Sequence, residues 1–358
     1  MNSAKGKLVL VAGGAGFLGS HLCDALIADG ARVICLDNLK TGRRDNISHL
    51  KRESRFSLIE TDICEELPGS LSSRRRRLDA IFNLACSASP PHYQADPIHT
   101  LMTSVLGSRN LLELADQTNA RFLLASTSEV YGDPEVHPQT ERYWGNVNPT
   151  GPRACYDEGK RAAEALTYDF ARTRCASVRV ARIFNTYGPR MRADDGRVIS
   201  NIICQALAGR DVTIYGDGQQ TRSFCYVADL IEGLIRLMWL PGPVLGPVNL
   251  GNPVEVSVVE LARRVIAMTG SPSKLATQPL PIDDPRRRRP DISLARALLG
   301  WSPKVDLEEG LKSTIAWFAR NGAAPRQPVP RAIPANGASA GEATAVLVSS
   351  AAAARGRA

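Results

Sequence analysis

The chain has 358 residues, 44% hydrophobic and 22% charged, with a formal net charge of +8. That is the composition of a soluble globular protein long enough for two lobes, and no apolar run approaches the ~18 residues of a membrane span. Residues Met1 to Lys7 lead into Leu8-Val9-Leu10-Val11 without a leader-like apolar region and cleavage site, so a cytoplasmic protein with no membrane partner is expected. The basic excess comes largely from two runs, Arg74 to Arg77 and Arg286 to Arg289. Neither run is interleaved with aromatics or joined to a DNA-binding signature, so no nucleic-acid partner is expected. The 8 cysteines are scattered, with no C-x-x-C pair and no histidine at zinc spacing, which reads as free thiols without a disulfide framework or a metal centre.

In chain order, Leu8–Val11, Arg32–Leu36, Phe56–Ile59, Ala80–Ala85, Phe122–Ser126 and Val178–Ile183 read as buried strands. Between them, Leu18–Ala28, Thr100–Asp116 and Arg153–Thr173 carry helical periodicity. Such alternation predicts an α/β protein with a doubly wound parallel sheet. After Ile183 the pattern changes to loops rich in Gly, Pro, Arg and Asp, with helical stretches at Val198–Ala208, Ala228–Trp239 and Ser257–Thr269. The expected division is a dinucleotide-binding domain over 6–184 plus about 224–252, and a smaller interleaved α/β substrate lobe over about 185–223 plus 253–320. Residues 323–358, rich in Pro, Ala, Gly and Ser, read as a disordered tail.

The first strand runs into Gly13-Gly14-Ala15-Gly16-Phe17-Leu18-Gly19, which opens the first helix. Glycines at 13, 16 and 19 suit a tight turn, close approach of a pyrophosphate and close helix–strand packing, with the phosphates at a helix N-terminus. Asp37 ends the second strand at the position, roughly 20 residues on, of an acid that binds a ribose diol. Its charge disfavours a 2′-phosphate, so NAD is expected rather than NADP in a Rossmann-type sheet. Phe17, Leu18, Asn38, Thr41, Gly42 and Ile63 complete the candidate cofactor set, with Asp62 read either as an adenine contact or as a helix cap.

Tyr156 and Lys160 stand one helical turn apart and share a face. A tyrosine with an ordinary pKa near 10 is a poor base at neutral pH, and a neighbouring lysine and a cationic nicotinamide both lower that value. Thr127, at the end of the fifth strand, is placed to hold a substrate hydroxyl. Ser128 and Glu129 follow it directly, which points to a step beyond oxidation.

These segments carry a resemblance. GGAGFLGSHL (13–22), LASTSEVYGDPEVHPQ (124–139), NPTGPRACYDEGKR (148–161), RVARIFNTYGPRM (179–191), VNLGNP (248–253) and DDPRRRRPDI (283–292) are similar to those of extended short-chain dehydrogenases/reductases, and within them of the UDP-glucuronate decarboxylases. Where sugar-nucleotide 4,6-dehydratases carry Asp-Glu, this chain has Ser128-Glu129, the decarboxylase-like pattern. The resemblance implies NAD-dependent conversion of UDP-glucuronate to UDP-xylose by a homodimer. Tyr156 would take the 4-hydroxyl proton, the 4-keto acid would lose CO2, and the cofactor would re-reduce C4. A 4,6-dehydratase, a 4-epimerase and a decarboxylase that stops at the keto-pentose are the alternatives.

The resemblance also implies that Glu129 positions the carboxylate-bearing carbon or relays a proton through water, and that Arg288 stands by the sugar. The loop Ser87–Tyr93, Asn185, Thr213, Tyr215 and Arg222 would meet the nucleotide sugar, with Tyr215 against uracil and Arg222 at phosphate. Arg286, Arg287 and Arg289 are expected to be solvated. One departure stands out: where close relatives read Leu-Lys-Thr-Asn, this chain has Leu101-Met102-Thr103-Ser104, which removes a cation that would approach the sugar and an amide near the active-site helix.

Overall fold

The computed structural model describes residues 4–72, 77–174, 176–244, 246–279 and 287–322. Most of the first arginine run, Arg286 of the second, Cys175 and the expected tail lie outside the described residues; Arg77 is exposed.

Seven strands form one sheet: β1 (Leu8–Ala12), β2 (Arg32–Asp37), β3 (Phe56–Glu60), β4 (Ala80–Asn83), β5 (Arg121–Thr127), β6 (Val178–Ile183) and the late strand β7 (Val248–Leu250). Their spatial order is β7-β6-β5-β4-β1-β2-β3, with every pairing parallel. Parallel strands are joined by crossovers that cover both faces of the sheet, so strand side chains are apolar on both sides. On one face, Val9, Val11, Val33, Cys35 and Leu123 pack against Leu22 and Leu26 of α1 (Phe17–Ala28) and against Leu230 and Leu234 of a late helix, Val227–Trp239. On the other, Leu8, Leu10, Ile34, Leu36 and Leu124 pack against Leu111, Leu112 and Ala163. Residues alternate between the two cores because successive strand side chains point to opposite faces.

The helix expected over Thr100–Asp116 is divided. A short α2 (Pro90–Ala95) precedes α3 (Pro97–Met102), which runs through a π-helical turn, Thr103–Gly107, into α4 (Ser108–Thr118). At Gly107 a Cβ would meet the end of the Ile63 side chain at 2.5 Å, so the two elements approach closely there. The long helix α5 (Ala154–Arg174) packs along α3 and α4. The strand expected over Ala80–Ala85 ends at Asn83, where the chain turns out to line the cavity described below.

A third core lies beside the sheet. Ile199, Ile202 and Ile203 from the helix Val198–Leu207, and Leu261, Ala262 and Val265 from the helix Val258–Thr269, pack with Val212, Ile214, Leu311 and Phe318. Three two-stranded sheets accompany it. Ile292, Ala295, Leu299 and Trp301 pack instead with the first core. No helix among the described residues is long and apolar enough to cross a membrane.

Candidate active site

The C-terminal ends of the parallel strands open on one cavity of about 610 Å³, where α/β sheets place their ligands. Every residue singled out from the sequence as a candidate lines it.

At one end the wall is backbone. Gly13 has φ +77, and a Cβ there would lie 2.8 Å from the Leu84 carbonyl carbon; a Cβ on Gly19 would lie 2.0 Å from the Gly13 oxygen. The loop therefore leaves main chain facing the cavity at the start of α1, a cradle that a side chain would fill and that suits a pyrophosphate. Asp37 is buried, and its carboxylate accepts from the Ala15 N–H at 2.9 Å and the Leu39 N–H at 2.8 Å. Burial raises its pKa, against these two bonds. Gly42 packs so closely that a Cβ would stand 2.6 Å from the Asp37 carboxylate. The cations near this acid are already paired: Lys40 with Asp96, Arg43 with Asp45 and Arg44 with Glu60. The surroundings thus fit NAD and offer a 2′-phosphate little. Asp62 caps the following turn by accepting the Cys64 N–H at 2.8 Å, and its other oxygen meets Asn38 and His99.

The opposite end is built from side chains. Four hydrogen bonds tie α5 to the strand ends: Lys160 Nζ to the Ala125 carbonyl at 2.9 Å, Ser126 to Glu164 at 2.5 Å, and Arg182 to Glu164 at 3.0 and 2.8 Å. They set Tyr156 beside Thr127, whose hydroxyl hydrogen-bonds the phenol. The Tyr156 ring is buried and stacked on Tyr93, with centroids 5.1 Å apart. Lys160 Nζ lies 5.9 Å from the Tyr156 ring centroid. In the chain alone burial, aided by the nearby Cys86 thiol, pushes the phenol's pKa up, while Thr127 pulls it down. Burial also lowers the pKa of Lys160 itself.

Glu129 sits in the 3-10 turn Ser128–Tyr131, which Thr127 caps by accepting the Glu129 N–H at 3.2 Å. Its carboxylate is held bidentately by Arg288, with Nη2 at 2.9 Å, and by Arg153 at 2.6 Å. Burial works against the charge, but the two guanidiniums outweigh it and hold Glu129 at a pKa of about 2. Glu129 is thus an acceptor that orients two arginines. Asp157, next to Tyr156 and buried, goes the opposite way: burial and the Glu129 charge push it up to about 7, and its Oδ1 lacks a hydrogen-bond partner.

Arg288 arrives from far along the chain through Gln139, which is fully buried and exchanges backbone hydrogen bonds with the 289–291 segment. The Gln139 side chain also accepts the Arg289 N–H at 2.8 Å, while Asn249 donates to the carbonyls of Gln139 and Asp291. Arg287 is exposed as expected, whereas Arg289 is half-buried and reaches Glu255 at 3.6 Å, because this pairing draws its backbone inward. Arg222 is buried against Arg288 through a backbone bridge, and Thr213 pairs with Gln205. Tyr215 is partly exposed at the end of its strand and Asn185 is half-buried. Ser104 is buried and hydrogen-bonds the Cys86 thiol at 3.4 Å; Met102 is exposed. Sequence reasoning missed Arg153, Gln139 and Asn249, although all three lie inside the matched segments; the signal for Arg153 was a cation one turn before Tyr156.

Comparison with known proteins agrees with this geometry. The family model described as GDP-mannose 4,6 dehydratase matches residues 10–314. UDP-glucuronic acid decarboxylase 1 of Xenopus tropicalis is 53% identical over 314 residues, 88% of this chain and 72% of that protein. UDP-glucuronic acid decarboxylase 6 of Arabidopsis thaliana is 53% identical over 304 residues, 85% of this chain and 86% of that one. Among solved structures, UDP-glucose 4-epimerase of Thermotoga maritima with UDP-glucose superposes with TM-score 0.80 at 30% identity, over 88% of this chain and 99% of that one. UDP-glucuronic acid 4-epimerase of Bacillus cereus, in complex with UDP-glucuronic acid and NAD, gives 0.78 at 27% identity, over 88% and 99%. By model, identity and fold, the chain belongs to the GDP-mannose 4,6 dehydratase family of extended short-chain dehydrogenases/reductases, in the branch of the UDP-glucuronic acid decarboxylases.

Proposed function

We propose that the chain is an NAD-dependent carboxy-lyase that converts UDP-glucuronate to UDP-xylose and CO2. The observation that carries this reading is the buried Glu129–Arg288–Arg153 cluster, whose acid is two residues past Thr127, within electrostatic reach of Tyr156. It sets cationic groups where a sugar carboxylate must be held, and the decarboxylase relatives share about half of all residues with this chain.

NAD, when bound, would supply reversible hydride chemistry at C4 of the sugar. Gly13, Gly16, Phe17, Leu18 and Gly19 would hold its pyrophosphate, Asp37, Asn38, Thr41 and Gly42 its ribose, and Asp62 with Ile63 its adenine. Thr127 holds the 4-hydroxyl in line with Tyr156, which removes its proton; the Lys160 ammonium stabilises the phenolate. With a ketone at C4, the carboxylate is β to a carbonyl, and the electrons of the breaking C5–C6 bond delocalise into that carbonyl. Arg288 and Arg153, aimed by Glu129, hold the carboxylate until it leaves, and a proton from water replaces it at C5. Tyr93, Asn185, Thr213, Tyr215 and Arg222 bind the UDP half. The balance is redox-neutral.

The test is mass spectrometry of UDP-glucuronate incubated with purified protein and no added reductant. UDP-xylose and an equivalent of CO2 are expected, and absence of CO2 release refutes the reading. Accumulating NADH with a keto-pentose product would replace it with the shorter reaction.

The domain division over 6–184 plus about 224–252 and about 185–223 plus 253–320 is part of this proposal. So is a homodimer through the helical stretches Thr100–Asp116 and Arg153–Thr173, next to which Ile98 and Trp144 stand 77% and 88% exposed. A reducing, cytoplasmic setting is supported by seven described cysteines that are all unpaired.

A further inference from the structure

Spacing in the sequence offers no metal site, yet the fold brings three donors together on the rim of the cavity. Asp62 and Cys64 lie in the loop after β3, and His99 lies on α3. A carboxylate oxygen, a sulfur and an imidazole nitrogen, one from each, all lie within 4.8 Å of one another. This mixed set of oxygen, sulfur and nitrogen donors is the one zinc-class ions take, unlike the all-oxygen shells of magnesium and calcium.

The donors are also supported from behind. Asn38 donates to the Asp62 carboxylate at 2.7 Å, and the Cys64 N–H fixes its other oxygen at 2.8 Å. Thr103, in the π-helical turn, contacts His99 Nδ1 at 3.4 Å, which leaves Nε2 turned toward Asp62 at 2.8 Å. The same hydroxyl meets the Cys64 thiol at 3.6 Å. Partners on the far side of each ligand are what orient donors in metal sites. The Asp62 and His99 side chains are 18% and 28% exposed, enough for an ion to enter from solvent. Zinc bonds of about 2.0–2.1 Å in a tetrahedron put nitrogen and oxygen donors ~3.3 Å apart, so the Asp62–His99 pair opens by roughly half an ångström and the sulfur closes in.

We propose that Asp62, Cys64 and His99 bind a divalent cation of the zinc class, with water in the fourth position. Binding forms the metal–sulfur bond as the Cys64 proton passes to solvent. Resting on the cofactor assignment above, the ion occupies the carboxylate that faces adenine, so metal and NAD oppose one another.

The test is a Co2+ titration of the full chain, stripped of metal and free of NAD, followed by absorption. One Co2+ per chain is expected, with tetrahedral ligand-field bands and a thiolate-to-cobalt charge-transfer band that Zn2+ abolishes. Cys64→Ser should lose the charge-transfer band, His99→Ala should weaken Co2+ at least tenfold, and Cys204→Ser should keep both. A wild-type spectrum without a thiolate band overturns the site even if a variant fails to fold, and so does a band that survives in folded Cys64→Ser. Zn2+ should weaken NAD binding to the wild type and not to Cys64→Ser. Unchanged NAD affinity alongside a clear thiolate band would overturn the antagonism alone, and a chain that takes Co2+ but never NAD would overturn the cofactor reading alone.

Discussion

The two ends of the cavity are made in different ways. The glycine-loop end is mostly backbone, from one stretch of chain, and its key acid is fixed by two nearby N–H groups. The Glu129 end is side chain, and its carboxylate and guanidiniums come from segments 24 and 159 residues apart. Backbone is positioned by local geometry and tolerates no added atoms. A buried charge cluster is positioned by its own members, so removing one leaves the others uncompensated. The first end resists steric change and the second resists charge change.

The largest effect is expected where neither backbone nor cluster can substitute. Tyr156→Phe should cut turnover by roughly 10²–10⁴ while leaving NAD and UDP affinity nearly intact, as read by steady-state kinetics and calorimetry. Turnover within a few-fold of wild type would remove Tyr156 as the base. Glu129→Gln keeps the shape but strands Arg288 and Arg153, at a cost of about 3–5 kcal/mol. CO2 release should fall far more than NAD binding, and equal losses of the two would erase the contrast between the ends. Gly19→Ala should do the reverse. Its methyl would meet the Gly13 oxygen at 2.0 Å, and the forced shift costs at least about 1–3 kcal/mol, seen as weaker NAD binding and a lower Tm.

The smallest effect concerns pH. Asp157 is raised from 3.8 to about 7, so the folded chain holds that proton more tightly than the unfolded one. Its contribution to stability is complete below its unfolded pKa and is lost as pH rises through about 7. Glu129, lowered to about 2, contributes above its unfolded pKa and loses that contribution only in acid. Asp157→Asn should therefore raise Tm at about pH 8 by roughly 2–4 °C and flatten the decline between about pH 4 and pH 8. Parallel wild-type and variant profiles across that range would show that Asp157 does not titrate there.

Much of the fold was legible because local physics writes it into the sequence. Apolar runs of five or six residues such as Leu8–Ala12 became strands, and the period of α5 survived within one residue at each end. The π-helical turn at Thr103–Gly107 was not legible in the helical period of the segment. The candidate residues were found as types at spacings, but their states were not. That Glu129 is doubly paired follows from Gln139 drawing in the 288–291 segment, and that the Tyr156 pKa rises follows from its burial in the pocket.

By itself the sequence determined the parallel sheet, the dinucleotide loop, the acid after the second strand and the Tyr–Lys face, because each depends on residues close together in the chain. Tertiary structure alone decided which arginines hold Glu129, which carboxylate keeps a proton near neutrality, and that Asp62, Cys64 and His99 share one corner. Those outcomes depend on distance and burial between remote segments, and on the charge each buried group meets, which spacing along a chain does not encode.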